Sequence, residues 1–382
     1  MPNKIMFVSP GLSVGGAEMM LLKLLSRIDR SRFDAVVVSL TDVGAVGRSI
    51  GDLGFHVVGL GLSPGRLSLT GLLALRKIIK AEQPDLIQGW MYHGNLAAQL
   101  TGCFIRNCPP MAWSIRGTHT DLTREKDLTA LTIWVGAKLS NRPAAIIYNS
   151  AFSAKAHWRS LNYSNKREVV IPNGFDTTLF ASSCKARARV RAELGAGENF
   201  VLVGLVARYH PVKDHVTFAE ALARARSAYP EVRGVLIGDG TSPANPDLNA
   251  LLTRTGTRDY IYCLGERSDL PELTAALDIA CNSSVSEGFP NAVGEAMACA
   301  VPCVVTDVGD SGWIVSDTGR VVPASSPGLF STALTDLVQL GAHGRKVLGE
   351  RARQRILEKF SLDAVVQRYE QTYKAILSRG FD

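Results

Sequence analysis

What this 382-residue chain lacks narrows its class before any motif is read. No apolar run reaches the roughly 20 residues that a membrane-crossing helix needs, so none is expected. The first strand should come almost at once, at Ile5 to Val8, with no secretory signal pattern ahead of it. A cytoplasmic protein is the expectation. Its seven cysteines are odd in number, scattered and never arranged as Cys-x-x-C, which argues against a disulfide framework or a paired-cysteine metal motif. Cys299 and Cys303 stand four apart, but the helix carrying the first should end near Ala300, and core cysteines are the better reading. A Gly-x-Gly-x-x-Gly dinucleotide fingerprint is missing. So are an Asp-x-Asp metal motif and any nucleic-acid-binding motif. Neither a metal nor a nucleic acid is expected.

Acidic charge runs short in one half only. Residues 1–180 hold 20 Lys+Arg against 12 Asp+Glu, whereas residues 181–382 hold 22 against 23. The basic excess therefore belongs to the first half. Such a bias is either ordinary solubility charge or contact with an anionic surface. The clusters Arg76-Lys77-Lys80 and Lys166-Arg167 favour an anionic membrane surface slightly over DNA. Glycine, by contrast, is abundant at 35 residues, which with ordinary apolar content fits an α/β protein with many tight turns. The length allows two domains at roughly 100–200 residues each.

Short β-branched runs alternate with amphipathic segments along the whole chain. Strands are expected at Ile5–Val8, Ala35–Leu40, His56–Leu60, Asp85–Gln88, Met111–Ile115 and Ala145–Tyr148. A second set is expected at Phe200–Val206, Gly234–Ile237, Ile261–Leu264, Asp278–Asn282, Cys303–Thr306 and Arg320–Val322. Between them lie segments such as Ala17–Ile28, where Met20, Leu21, Leu24, Leu25 and Ile28 recur at helical spacing. This alternation predicts parallel sheets with helices on both faces, hence two doubly wound, Rossmann-like domains in succession. Pro172-Asn173-Gly174 closes the first, which is placed at residues 1–180, and a basic stretch from Lys185 to Gly197 opens the second, at 181–360. Val365, Val366, Tyr369, Tyr373 and Ile376 mark a final helix within 361–382.

The stretch SVSEGFPNAVGEAM, residues 284–297, carries the most chemistry. Glu287 ends a loop containing Gly288 and Phe289, and Glu295 lies on an apolar segment that begins with Pro290 and Asn291. Proline suits the first turn of a helix, where its missing N–H is an orphan anyway. A helix N-terminus offers free N–H groups and the positive end of a dipole, which suits a diphosphate. A carboxylate beside it suits sugar or ribose hydroxyls. The combination describes a nucleotide-sugar site, against the plainer alternative of two acids on a surface helix.

EGFPNAVGEAMACAVPCVVTDVGD, residues 287–310, closely resembles the Glu-x7-Glu signature of the family 4 retaining glycosyltransferases (glycosyl transferases group 1). That resemblance implies a GT-B fold, with two Rossmann-like doubly wound parallel-sheet domains facing a central cleft and the final helix crossing back onto the first. It implies that Glu287 faces the donor sugar and Glu295 the nucleotide ribose. Arg208 and Lys213, in VARYHPVKDH, match the family's Arg-x4-Lys pattern; two cations at the edge of a parallel sheet suit a leaving diphosphate. Gly15 and Gly16, in PGLSVGGAE, would bring backbone close to the donor's phosphates and the acceptor, although a tight βα turn is the simpler reading. His93, in GWMYHGNLAAQL, occupies a place where family members often carry a histidine whose side chain or neighbouring backbone faces the donor sugar and acceptor; it is expected just before a helix opened by Gly94-Asn95. His119 is the competing choice, and Arg116 is considered for an acceptor phosphate. Gly238 and Gly240, in LIGDG, are similar to a nucleotide-side loop, and backbone near Leu264–Arg267 should read the base. Two departures stand out. Ala300 replaces a usual glycine at a helix end, so that turn should differ, and Asp310 replaces a glycine common after Gly309.

The expectation is thus a retaining transferase that moves a sugar from a nucleotide-sugar donor, UDP-linked on family frequency, to a hydroxyl of a glycan or polyprenyl-linked acceptor in bacterial-type polysaccharide assembly. No cofactor is expected, because the nucleotide sugar is a substrate. Closure of the domains about residues 175–200 would exclude water. The basic half suggests peripheral attachment at the inner face of the cell membrane. A non-catalytic nucleotide-sugar sensor or assembly subunit and a GT-B-fold sugar-nucleotide epimerase are the alternatives. A phosphorylase would need a pyridoxal-phosphate lysine context that is not evident, and an NAD enzyme, to which Asp42 lends slight support, would need the missing glycine fingerprint.

Overall fold

The computed structural model describes residues 1–118 and 122–378, apart from the Arg124 side chain. The chain forms two compact units, one spanning Met1–Gly174 and regaining the chain at Leu362, the other Phe175–Ser361.

The first unit is built on seven strands: β1 (Asn3–Ser9), β2 (Phe33–Ser39), β3 (His56–Gly59), β4 (Leu86–Trp90), β5 (Met111–Ile115), β6 (Ala145–Tyr148) and β7 (Glu168–Val170). They pair in parallel in the order β3-β2-β1-β4-β5-β6-β7. β4, β5 and β6 are buried along their full length, as expected of strands covered by helices on both faces. The second unit has β8 (Val201–Val206), β9 (Val232–Ile237), β10 (Ile261–Cys263), β11 (Ile279–Asn282), β12 (Cys303–Thr306) and β13 (Arg320–Val322), in the order β10-β9-β8-β11-β12-β13. The same 3-2-1-4-5-6 order thus occurs in both sheets. Strand order reverses direction between β1 and β4 and again between β8 and β11. In open parallel sheets these switch points, at the carboxyl ends of the strands, are where ligands bind.

The C-terminal helix Leu362–Ser378 buries Val365, Val366, Tyr369, Tyr373 and Ile376 in the core of the first unit, against Leu21, Leu24 and Phe33. Tyr373 donates its hydroxyl to Gln88 Oε1 at 2.5 Å. Arg116, considered above for an acceptor phosphate, donates to the Tyr369 hydroxyl at 2.6 Å and to Asn173 Oδ1, and stacks over the Trp90 ring. Its role in the fold is to clamp this helix. His119 lies outside the described residues.

Three local features differ from the sequence reading. A seventh strand, β7, is so short and half-exposed that no apolar run announces it. Residues 175–200 are part of the second unit's packing, because Phe175, Phe180, Val190 and Ala196 join its core. The boundary accordingly falls at Gly174 rather than 180, where the Phe175 amide donates to the Phe360 carbonyl at 2.9 Å. And the turn at Ala300 keeps its usual form: Val301 N–H reaches the Ala296 carbonyl and Ala300 N–H that of Met297, with alanine itself at φ 60°. That is a Schellman cap with a side chain in the left-handed position. Cys281, Cys299 and Cys303 are buried, and burial pushes the thiols of the last two up to about 12.

Candidate functional site

In the second unit two loops meet at the β8/β11 switch point. β8 and β11 are direct neighbours, with Val203 beside Ile279 and Leu205 beside Cys281. The loop after β8 carries Arg208 and then a short 3-10 turn, Pro211–Lys213, in which His210 Nδ1 accepts from the Val212 amide. Asp214 follows in the left-handed region and caps the helix His215–Ala228 through the Thr217 amide at 3.1 Å. The loop after β11 is fastened to this turn twice. Val285 N–H donates to the Val212 carbonyl, and the Ser283 hydroxyl donates to the Lys213 carbonyl, each at 2.9 Å.

These ties bring Lys213 Nζ to 2.5 Å from Glu287 Oε1. The same oxygen accepts from the Ser284 hydroxyl at 2.7 Å and from Asn282 Nδ2 at 3.4 Å. Glu287 is only 12% exposed and Lys213 25%, so the pair is largely withdrawn from solvent and its charges are screened less than surface ones. Arg208 remains exposed and makes no hydrogen bond or ion pair among the described residues. An ammonium–carboxylate pair thus sits at the carboxyl end of the sheet, with Arg208 unpaired among the described residues on the same loop as Lys213.

Behind Glu287 the backbone is tightly packed. Asp310, buried, donates its amide to the Gly288 carbonyl at 2.9 Å. Gly309, at φ 57°, leaves no room for a side chain, since a Cβ there would lie 2.4 Å from the Glu287 carbonyl oxygen. The helix Asn291–Ala298 begins directly after Pro290, which serves as its N-cap residue instead of lying inside the first turn. Asn291 is the first helical residue and Glu295, half-buried, lies one turn further. Phe289 sends its side chain into the core, 7% exposed and stacked on Phe175 with Phe360 and Trp313 beside it. Only its backbone is left for a ligand.

Gly238 and Gly240 form the turn after β9. Gly238 N–H donates to the Gly265 carbonyl and Asp239 accepts from the Tyr209 amide, so the loops after β8, β9 and β10 are laced together. Leu264 is half-buried against the core. The Arg267 side chain is engaged elsewhere, in ion pairs with Asp269 and Glu193 at 2.8 Å. These carboxylates raise the Arg267 pKa further, and Arg267 in turn holds the Asp269 carboxyl well below the usual range. What Arg267 offers a ligand is its main chain.

The first unit's switch point carries Gly15 and Gly16 after β1 and His93 after β4. Gly15 is the N-cap residue of the helix Gly16–Arg27, with no side-chain cap of its own. His93 lies inside a helix, Met91–Gly102, that starts directly after Trp90, the last residue of β4. The junction requires Met91 at φ 60°, an uncommon conformation for a side-chain-bearing residue. Gly94 packs on the Val8 carbonyl so closely that no Cβ fits. This contact fixes the helix that carries His93. Burial lowers the pKa of His93, and its Nε2 is buried without a hydrogen-bond partner among the described residues.

Sequence reasoning missed Ser284 and Asn282, which hold the Glu287 carboxylate, and Glu18. Both of the former lie within five residues of Glu287, and a strand followed by a polar turn was the available signal. Glu18 stands three residues after Gly15, the spacing at which a glutamate turns back toward its helix N-terminus. It is half-buried, and desolvation raises its carboxyl pKa against the opposing effects of a backbone hydrogen bond and the Arg116 charge.

Comparison with known proteins agrees with this geometry. Residues 14–179 match the model for glycosyltransferase family 4, and residues 200–339 match that for glycosyl transferases group 1. The chain is 27% identical over 318 residues to EpsF of Bacillus subtilis strain 168, which carries a glycosyltransferase name, covering 80% of this chain and 79% of that one. It is 23% identical over 313 residues to UDP-Gal:alpha-D-GlcNAc-diphosphoundecaprenol alpha-1,3-galactosyltransferase of Escherichia coli, with the same two coverages. Among solved structures, HepE of Anabaena in complex with UDP superposes with a TM-score of 0.82 at 24% identity, covering 97% of this chain and all of that one. The fold is GT-B. The chain belongs to the family 4 glycosyltransferases, and it is a glycosyltransferase.

Proposed function

We propose that this protein transfers a sugar from a uridine-diphosphate sugar to a hydroxyl of a lipid-linked glycan, with retention at the anomeric carbon. The observation that carries the proposal is the meeting of Lys213 with Glu287 at the β8/β11 switch point, with Arg208 unpaired among the described residues on the same loop as Lys213. A diphosphate needs cations, a sugar needs a hydroxyl acceptor, and this edge supplies both. Support for the base and the acceptor comes from relatives: HepE binds UDP, and the Escherichia coli protein is named for a UDP-galactose donor and a diphosphoundecaprenol acceptor.

In this reading Arg208, Lys213 and the first amides of the Asn291–Ala298 helix hold the diphosphate. They stabilise the charge that grows on it as the bond between the anomeric carbon and the phosphate oxygen breaks. The acceptor oxygen forms the new bond to that carbon on the face the phosphate leaves, and its proton passes to the departing diphosphate oxygen. The product linkage is α for an α-linked donor. Glu287, once released from Lys213, orients the sugar hydroxyls. Glu295 takes the ribose, while Gly238, Gly240, Leu264 and Arg267 present main-chain groups to the nucleotide. Gly15, Gly16 and His93 serve the acceptor side. The side-chain cations carry the leaving-group charge, so no metal is assigned a part.

The test incubates purified protein with UDP-, GDP-, ADP- and TDP-sugars, with magnesium and with EDTA, and then adds a lipid-linked glycan acceptor. Nucleotide release from UDP-sugar in EDTA, together with an α-linked product, is expected. Tight donor binding without release, with acceptor present, would instead favour the sensor reading.

A further inference from the structure

The helix Asp127–Leu139 of the first unit is apolar on both sides. Its inner side buries Thr132, Ile133, Gly136 and Ala137. Its outer side presents Leu128, Leu131 and Trp134 at 48%, 54% and 54% exposure, ending in exposed Lys138. Positions i, i+3, i+6 and i+10 fall on one face at 100° per residue. Helices with an apolar outer face are ordinarily covered by something.

The next helix, Ala151–Leu161, follows the neighbouring strand and shares a core with the first, through Ile133, Ala137 and Ala154. It exposes Trp158 at 46%. Each tryptophan has a cation over its ring, Lys138 over Trp134 at 5.7 Å and Arg159 over Trp158 at 5.9 Å. Exposed Lys126, just before the first helix, and Lys155 add two more positive charges, against Asp127 within the helices and half-buried Glu125 beside Lys126. Leucine and tryptophan interleaved with lysine and arginine is the chemistry of a helix lying in the headgroup layer of an anionic bilayer.

We propose that the outer face of Asp127–Leu139, continued by Trp158 and Arg159, docks the protein onto an anionic lipid bilayer. Leu131 and Trp134 enter the acyl boundary while Lys138 and Arg159 reach lipid phosphates. This deepens the lipid-linked acceptor reading, on which it rests for its purpose, since the acceptor's lipid would reside in that bilayer. The choice of a bilayer over a second copy of the chain follows from charge, because four like cations around the patch would face one another across a symmetric dimer.

The experiment sediments the full chain with vesicles of phosphatidylcholine alone or with about a third phosphatidylglycerol, at low and high salt. Binding to the anionic vesicles alone, weakened by salt, is expected. Leu131→Glu with Trp134→Glu should cut partitioning at least tenfold. Lys138→Glu with Arg159→Glu should cut it about fivefold or more per charge, on the scale of one surface cation each. Both pairs sit on exposed positions, and circular dichroism checks their folding. No vesicle binding by the wild type, or undiminished binding by both double variants, overturns the proposal. So does a dimer that Trp134→Glu dissociates while vesicle binding stays unchanged. Sugar transfer from UDP-sugar to the lipid-linked acceptor in detergent, by the same samples, reads the proposed donor and acceptor separately. Transfer without vesicle binding removes the docking face alone, and vesicle binding without transfer removes the proposed donor and acceptor alone.

Discussion

Lys213 and Glu287 satisfy each other, Nζ to Oε1 at 2.5 Å, before any substrate arrives. In the proposed function the ammonium turns to phosphate and the carboxylate to sugar hydroxyls, so donor binding competes with this ion pair. Lys213→Ala should lower kcat/KM for a UDP-sugar about 100-fold or more, the usual effect of losing one donor to a developing anion. Glu287→Gln should also lose transfer activity, yet bind UDP about three- to tenfold tighter, because freeing Lys213 removes a competing ion pair worth roughly 1 kcal/mol. Calorimetric titration with UDP and with UDP-sugar checks both signs. Equal or weaker UDP binding by Glu287→Gln would mean that the pair does not compete with phosphate.

Gly309 and Gly256 separate backbone strain from damage to the site. Both have positive φ, 57° and 64°, but a Cβ on Gly256 meets nothing within 4 Å, whereas one on Gly309 strikes the Glu287 and Gly288 carbonyls. Gly256→Ala should cost about 1–2 kcal/mol of stability and leave kcat unchanged. Gly309→Ala should also push the Glu287 loop out of place, and a misplacement of about 1 Å can cost on the order of 100-fold in rate. Urea unfolding and donor turnover of the two variants make the comparison. Equal activity in both would show that the carbonyl contact does not position Glu287.

The strands were legible because they are buried on both faces, so that runs such as Met111–Ile115 and Ala145–Tyr148 read directly as apolar. β7 offers an exposed Glu168, two half-exposed valines and no such contrast. At the site, residue types and spacing pointed to Glu287 and Lys213 but not to their mutual bond, which depends on the Val285–Val212 and Ser283–Lys213 ties between loops 70 or more residues apart. Phe289 and Arg267 teach the converse. Neighbours in sequence to the site, they turn their side chains to a core and to an ion network, because Phe175, Phe360 and Glu193 arrive there from distant segments.

Ala300 gives a stability prediction free of the chemistry. It occupies the left-handed position of a Schellman cap at φ 60°, where an alanine Cβ crowds its own carbonyl and glycine does not. Ala300→Gly relieves that crowding, at some cost in unfolded-chain entropy, for a net gain of about 0.5–1 kcal/mol. The midpoint of urea unfolding should rise with unchanged slope. A fall would show that the Ala300 methyl contributes packing that outweighs the backbone term.

His215 sets an acid limit on the second unit. Its ring is 4% exposed, packs against Tyr209 at 5.0 Å, and has no hydrogen-bond partner at either nitrogen among the described residues. Burial, assisted by the Lys213 charge and opposed by Asp214, pulls its pKa from 6.5 down to about 4. Above pH 6.5 both folded and unfolded chains carry it neutral, and it contributes no pH dependence. Between about pH 6.5 and 4 the unfolded chain takes up a proton that the folded chain refuses, so stability falls as pH falls, by about 3 kcal/mol across the window. His215→Phe keeps the ring packing, removes the titration and abandons no hydrogen bond. Its unfolding free energy should therefore decline less steeply from pH 7 to pH 4.5 than that of the wild type, by close to one proton's slope. Parallel declines would mean that His215 finds a proton-compatible environment on acidification and that other groups set the acid limit.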